Sequence, residues 1–283
     1  MSARSVVSGT VVIGLLLVGG YVLVRYLEDR PAFPLTSQCE VTGDSTVELE
    51  SEQMAHAATI AAVGLRRDLP VRAVTVALAT ALQESKLRNL SHGDGDRDSI
   101  GLFQQRPSMG WGEPDELGDP RYAAGAFYDK LVRISGWQDM RVTDAAQAVQ
   151  KSAHPEAYQK WAEEAAVLAD GLSGRTAAAV SCVLRGESEN RVRGTQALRE
   201  ELTRDWGEVT NGGPRSGDRL TLDVADERSG WRLAHWLVSH AAVHGVQDVS
   251  FAGKRWDSET GQWRTAKDAD GTSVVAALST GTS

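Results

Sequence analysis

"ATALQESKLRNLSHGDGDRDSIGLFQQRPSMGWG", residues 79–112, runs from an apolar helical pattern through a cluster of aspartates to Gly101-Leu102-Phe103-Gln104-Gln105. Its helical part begins upstream at "VRAVTVALATALQES" (71–85). Val71, Val74, Leu78 and Leu82 share one stripe there, and Ala73, Ala77 and Ala81 let a neighbour come close. Glu84 ends this helix. Burial and the partial negative charge of a helix C-terminus both oppose ionisation of a carboxyl, which would keep Glu84 protonated near neutrality as a general acid. The rival reading is an ordinary solvated surface glutamate. Ser85 is placed to bond that carboxyl or a substrate group.

Asp94, Asp96 and Asp98 have the D-x-D-x-D spacing of a calcium loop. Ser99, however, stands where such a loop needs its turn glycine, and Gln105 where it needs a bidentate glutamate. Two other readings remain: a hydrated turn held by Asx-type bonds, and a second carboxylate that orients water. Trp111 offers a flat apolar face either to a sugar ring or to the core beneath the loop.

Outward from this stretch, residues 47–67 read as a helix with Met54, Ala58, Ala61 and Leu65 on one stripe, and Pro70 suits the first turn of the next. Residues 119–134 and 142–172 read as further helices, the second kinked or divided at Pro155. The stretch 47–172 is thus a mainly helical domain. A linker, 173–186, leads to a small α+β domain, 187–283. Its elements are a helix near 194–206, a strand at "RLTLDV", a helix from Ser229 as N-cap to Gly245, and strand-like runs near 246–253, 262–266 and 272–278. Five of the eight tryptophans fall in this module (Trp206, Trp231, Trp236, Trp256 and Trp263), forming either a small core or a binding face. His240 and His244 have zinc-like spacing, but Ala241 replaces the glutamate of H-E-x-x-H, so no metal site is expected.

The chain has 283 residues and a formal net charge of −8, room for two domains and a poor match to nucleic acid or an anionic surface. Recognition of a polymer would then rest on hydrogen bonds and stacking. From Ser5 to Val24 there are 20 residues without a charge. As a helix they span roughly 30 Å, one hydrocarbon thickness. Residues 1–28 are read as an uncleaved transmembrane anchor and 29–46 as a linker, a cleaved signal peptide being the alternative. Arg4 before the span against Arg25 and Arg30 after it gives no support to an exported domain. The only two cysteines, Cys39 and Cys182, point the other way. They bracket the central region as a disulfide clamp formed in an oxidising compartment would, worth ~3–5 kcal/mol; two separate buried thiols are the alternative.

A Glu-Ser pair at a helix end, a polar loop and then Gly-Leu-x-Gln resembles the lysozyme superfamily, soluble lytic transglycosylases in particular. The full run from Gln83 to Gly112 resembles the lysozyme-like domain of actinobacterial exported wall proteins, over about residues 50–170. The resemblance implies that Glu84 is the catalytic acid/base and Gln104 a glycan contact, with Ser85, Gln105 and Trp111 beside them. The family's third motif, an Ala-Tyr-Asn-Ala-Gly type segment, has no clean counterpart. "AVQKSAHPEAYQKW" stands nearby and supplies Gln150 and Tyr158 as cleft residues. The C-terminal run resembles modules attached to such wall proteins and, faintly, zinc D-alanyl-D-alanine peptidases, whose His-x-His end is missing. What the resemblance implies is a membrane-anchored enzyme on the extracytoplasmic side that cleaves the glycan strands of peptidoglycan, as a lytic transglycosylase or muramidase, without metal or organic cofactor. A wall-binding scaffold of the same fold without turnover is the alternative.

Overall fold

Period-two burial marks the start of the described chain. β1 (Gln38–Thr42) and β2 (Thr46–Glu50) form a hairpin in which Cys39, Val41, Val47 and Leu49 face inward. The computed structural model describes residues 37–185, 194–209 and 218–279. The apolar span 5–24 lies outside these residues, and no helix among the described residues is long and apolar enough to cross a membrane. The helix expected from residue 47 begins later: α1 is Ser51–Leu65. Val-Glu-Leu-Glu alternates with period two and pairs with β1, and the Glu50 N–H, at the start of the helix, donates to Gln53 Oε1 at 2.9 Å.

β3 (Val180–Val183) pairs antiparallel with the other edge of β1, giving the order β2-β1-β3. The stretches 29–46 and 173–186, expected as linkers, therefore carry β1 and β3. Cys39 lies directly opposite Cys182, and the two form a disulfide across a sequence separation of 143.

α2 (Val71–Ser85) is the axis of the helical part. α3 (Pro114–Leu117), α4 (Pro120–Leu131), α5 (Val142–Gln150) and α6 (Ala162–Leu172) follow it, and α1, α4, α5 and α6 all pack on α2. Every α2 residue from Ala73 to Leu82 is buried, more than the single stripe expected, because alanines and small polar residues let neighbours close on all sides. α1 and α4 meet at Gly64: a Cβ there would stand 2.7 Å from the Tyr128 ring, whose Oη donates to Ile60 O at 3.0 Å. The 142–172 region is divided, as anticipated, but the break opens at Lys151, ahead of Pro155. α5 ends at Gln150, with Lys151 in the left-handed region at φ 54°.

The rest of the chain is built from α7 (Thr195–Trp206), β4 (Arg219–Asp223), α8 (Glu227–Ser239), α9 (Ala241–His244), β5 (Val246–Phe251), β6 (Lys254–Asp257), β7 (Gln262–Thr265) and β8 (Ser273–Leu278). Its strands make an antiparallel sheet of order β4-β8-β5-β6-β7. α8 starts ahead of the expected Ser229. Asp226 is the N-cap, and its carboxylate accepts the Ser229 N–H at 2.9 Å. Trp231, Trp236 and Trp256 are buried, so these three serve the core. Trp231 meets both Phe251 and Trp263 edge-on at 5.3 Å.

The described chain is α+β with one continuous apolar core running through both sheets and the helices. α8 packs on α1, α6, β3 and β5. β3 also bonds to the second sheet: Trp263 Nε1 donates to Val180 O, and Leu184 N to Ser258 O, both at 2.8 Å. A buried ionic hub ties the helices together. Arg121 Nε lies 2.7 Å from Asp205 Oδ1, and Arg121 also pairs with Glu201. Asp205 Oδ2 accepts from Thr59 Oγ1 at 2.8 Å and from Trp236 Nε1 at 2.7 Å. Removing one partner from such a buried pair typically costs about 3–5 kcal/mol, since it strands the other charge.

Candidate active site

The last turn of α2 leaves the core and enters a cleft of about 900 Å³. Gln83 and Glu84 form part of its wall, facing Gln104, Arg106 and Trp111 from the loop and Gln150 and Lys151 from the end of α5. The helix stops there because Lys86 and Leu87 both take left-handed backbone angles, φ 57° and 59°.

Glu84 is held through one oxygen. Tyr158 Oη donates to Glu84 Oε1 at 2.7 Å, and Gln150 Nε2 donates to the same atom at 3.2 Å. Gln150 Nε2 also reaches Phe103 O at 2.9 Å, which fixes the amide between the carboxyl and the loop. Burial raises the Glu84 carboxyl above its ordinary value, and the bonds from Tyr158 and Gln150 pull against that shift. The phenol of Tyr158 is raised in turn, by burial first and then by the nearby Glu84, so it stays a donor.

The Gly-Leu-Phe-Gln turn is closed by a reciprocal backbone pair, Ile100 N to Gln105 O at 2.9 Å and Gln105 N to Ile100 O at 3.0 Å. Gly101 sits at φ 76°, and a Cβ there would meet Leu117 O at 2.4 Å, so glycine is required on both counts. Leu102 and Phe103 are buried, and Phe103 stacks on Phe127 at 4.9 Å. The two glutamines part company. Gln104, at φ 47°, lines the cleft, while Gln105 is buried and donates to Ala123 O at 3.0 Å. Ser85 is buried as well. Its hydroxyl donates to Leu102 O at 2.8 Å, joining the helix end to the turn, and lies 3.1 Å from Ala81 O.

Of the residues singled out from the sequence, Glu84, Gln104, Trp111 and Gln150 therefore line the cleft, whereas Tyr158, fully buried, holds Glu84 from behind and Ser85 and Gln105 brace the wall. The aspartates do not converge. Asp94 Oδ2 accepts the Ser91 N–H at 3.1 Å, and Asp98 accepts from Arg106 Nε at 2.6 Å and from the Ser108 N–H at 3.0 Å. The bonds from Ser108 and Arg106 hold the Asp98 carboxyl well below the usual range. Asp96 alone of the three lines the cleft, beside Arg97 at 3.7 Å. Five cations line it too, which sequence order did not reveal: Arg97, Arg106, Lys130, Arg133 and Lys151.

His240 and His244 lie far along the chain from this cleft, against a second hollow of about 360 Å³. The His240 ring stacks on Trp236 at 3.9 Å, and burial pushes its pKa down to about 4. Among the described residues no group of three or more His, Cys, Asp or Glu side chains could hold a metal ion. No family model matches the chain, and no curated protein matches it.

Proposed function

We propose that this protein cleaves the glycan strands of peptidoglycan with Glu84 as its single acid/base, on a helical framework of the lysozyme-like kind. The observation that carries the reading is Glu84 itself: a carboxyl raised by burial, pinned at Oε1 by Tyr158 and Gln150, on the wall of a 900 Å³ cleft. Its other oxygen accepts no hydrogen bond among the described residues and is the atom to carry the proton.

In this reaction Glu84 gives its proton to the glycosidic oxygen as the bond to the anomeric carbon breaks. Positive charge builds on the sugar ring, and the oxygen of its own N-acetyl group can close on the anomeric carbon to stabilise it. The Glu84 carboxylate then takes a proton either from the sugar's 6-hydroxyl, which closes an anhydro ring, or from water. The anhydro outcome is favoured, since Asp94 and Asp98 are engaged in loop bonds and only Asp96 borders the cleft. Placement outside the cytoplasm is supported by the Cys39–Cys182 disulfide, with residues 5–24 as the anchor.

Glu84→Gln should abolish cleavage of purified sacculi while leaving the fold and sacculus binding intact, because it removes one ionisable proton at nearly constant shape. Mass spectrometry of the released products in oxygen-18 water reads both the activity and its type. Unlabelled 1,6-anhydro ends are expected, and labelled reducing ends would mean a hydrolase. Activity retained above about a tenth of wild type in Glu84→Gln would remove Glu84 from the mechanism. Sacculus binding without cleavage by the wild type would leave a wall-binding scaffold.

A further inference from the structure

We propose that the cleft carries an anion subsite next to Glu84, in which Lys130, Arg133 and Lys151 take a carboxylate borne by an acidic glycan. The inference rests on the glycan-cleaving reading and adds a charge to its substrate.

The cleft's cations divide into two groups. Arg106 is spoken for by Asp98 at 2.6 Å, and Arg97 lies beside Asp96 at 3.7 Å. Lys130, Arg133 and Lys151 line the same cleft, and none of them has an ion-pair partner among the described residues. Their placement follows from the fold. Lys130 lies in the last turn of α4, Arg133 two residues past its end, and Lys151 directly after Gln150, the residue that bonds Glu84. An ammonium near a helix C-terminus is favourable in itself, so one lysine on each helix could be explained by the helix alone. That explanation does not cover the rest of the arrangement. Lys130 is turned back over the Trp111 ring, 3.1 Å from its centroid, inside the cleft. There burial, and then the Lys151 ammonium, hold it below the ordinary lysine range. Two ammonium groups that repel each other, in a cleft that the Arg133 guanidinium also lines and whose Asp96 carboxylate stands beside Arg97, form a site that an anion would stabilise. Glu84 does not cancel the charge if it is protonated, as its raised pKa favours.

The ligand is then a polymer of amino sugars bearing carboxylates. The ring face lies near Trp111, which Lys130 already covers as a cation, and the acid group reaches Lys151 and Arg133. Two sources within one glycan supply that chemistry: the lactyl group on a sugar that carries no peptide, or an acidic residue in a peptide joined to that group as an amide. Chitin oligosaccharides share the sugar ring and N-acetyl groups but carry no charge.

The test measures equilibrium binding by the full-length Glu84→Gln protein, so that cleavage does not intervene. Three probes are compared at low and high salt: peptide-bearing glycan fragments, the same fragments after amidase removal of the peptides, and neutral chitin oligosaccharides. The acidic probes should bind about tenfold or more tighter than chitin at low salt, with the difference collapsing at high salt. Arg133→Gln with Lys151→Gln should erase that difference while leaving chitin affinity unchanged. Both residues are exposed, so the fold is expected to tolerate the change, and the single Lys151→Glu variant checks it by turning the preference towards the neutral probe. A gain confined to the peptide-bearing probe assigns the carboxylate to the peptide, a gain confined to the amidase-treated probe assigns it to the lactyl group that the amidase frees, and a gain on both means that the subsite takes either. Equal, salt-insensitive affinity for all three probes with wild-type cleavage intact overturns the subsite alone. Loss of all glycan binding overturns the glycan reading as well.

Discussion

Both hydrogen bonds to Glu84 fall on Oε1, and their effect on its proton has a definite sign. Each favours the carboxylate, so each lowers a pKa that burial raises. Tyr158→Phe removes the shorter bond and should lift the Glu84 pKa further. A general acid works while protonated, so the alkaline limb of kcat/KM should move to higher pH in Tyr158→Phe, even as the maximal rate falls with looser positioning. A pH–rate profile of glycan release checks this; an alkaline limb that stays in place would show that Tyr158 does not act on the Glu84 proton. At this scale the sequence was legible where a side chain's position follows from periodicity. Glu84 at the end of an apolar helix is such a case. Gln104 and Gln105 are not, because which of two neighbouring glutamines faces the cleft is set by the left-handed φ of Gln104, and no local pattern announces it. The same limit applied to Ser85, whose inward hydroxyl depends on where Leu102 O stands.

Among the elements, α8 shows how a polar residue can serve the core. His235 is buried on it, and its ring spans two backbone groups: Ala179 N–H donates to Nε2 at 3.1 Å, and Nδ1–H donates to Gly171 O at 2.8 Å. That staple fixes α8 to the end of α6 and the lead into β3, and it requires the neutral ring. Burial pushes the His235 pKa down to about 4, below the unfolded value near 6.5. The unfolded chain therefore binds the proton first, and stability is full above about pH 6.5, then falls as pH drops towards about 4. The loss across that window is on the order of 3 kcal/mol from this ring. Urea unfolding between pH 7 and 4.5 should show the decline, and NMR should find the His235 ring still neutral at pH 5. A ring protonated at pH 5 in the folded protein would refute the staple. Helices with long apolar periods, α2, α4 and α8, were readable from sequence, as were β4, β5, β7 and β8. The strands β1, β2, β3 and β6 were not: β1 and β3 pair across about 140 residues, a partnership that no local pattern announces. β2 also borders α1 directly, so its period-two pattern merged with the helical one.

Over the whole molecule, net charge misleads and chain connection informs. The −8 total suggested recognition without cations, yet five basic side chains are concentrated at one cleft, because composition says nothing about where the fold sends each charge. The cysteine pair told more. β1 at the start of the described chain and β3 after the last helix of the cleft region are neighbours in one sheet, and the Cys39–Cys182 disulfide locks that closure. The loop it closes holds α1 to α6 and therefore the entire cleft. Cross-linking residues 143 apart removes chain entropy from the unfolded state worth about 5 kcal/mol at room temperature. Little of the folded state should change on reduction, since both cysteines are already placed by backbone pairing and buried beside Val41 and Val180. Cys39→Ser with Cys182→Ser should accordingly retain its far-ultraviolet spectrum at low temperature but lose several kcal/mol in urea unfolding. Glycan cleavage should persist below the lowered melting temperature and vanish above it. A double variant within about 1 kcal/mol of wild type would mean that the antiparallel pairing and the buried hub around Asp205 already hold the ends together, leaving the disulfide with no share in the stability.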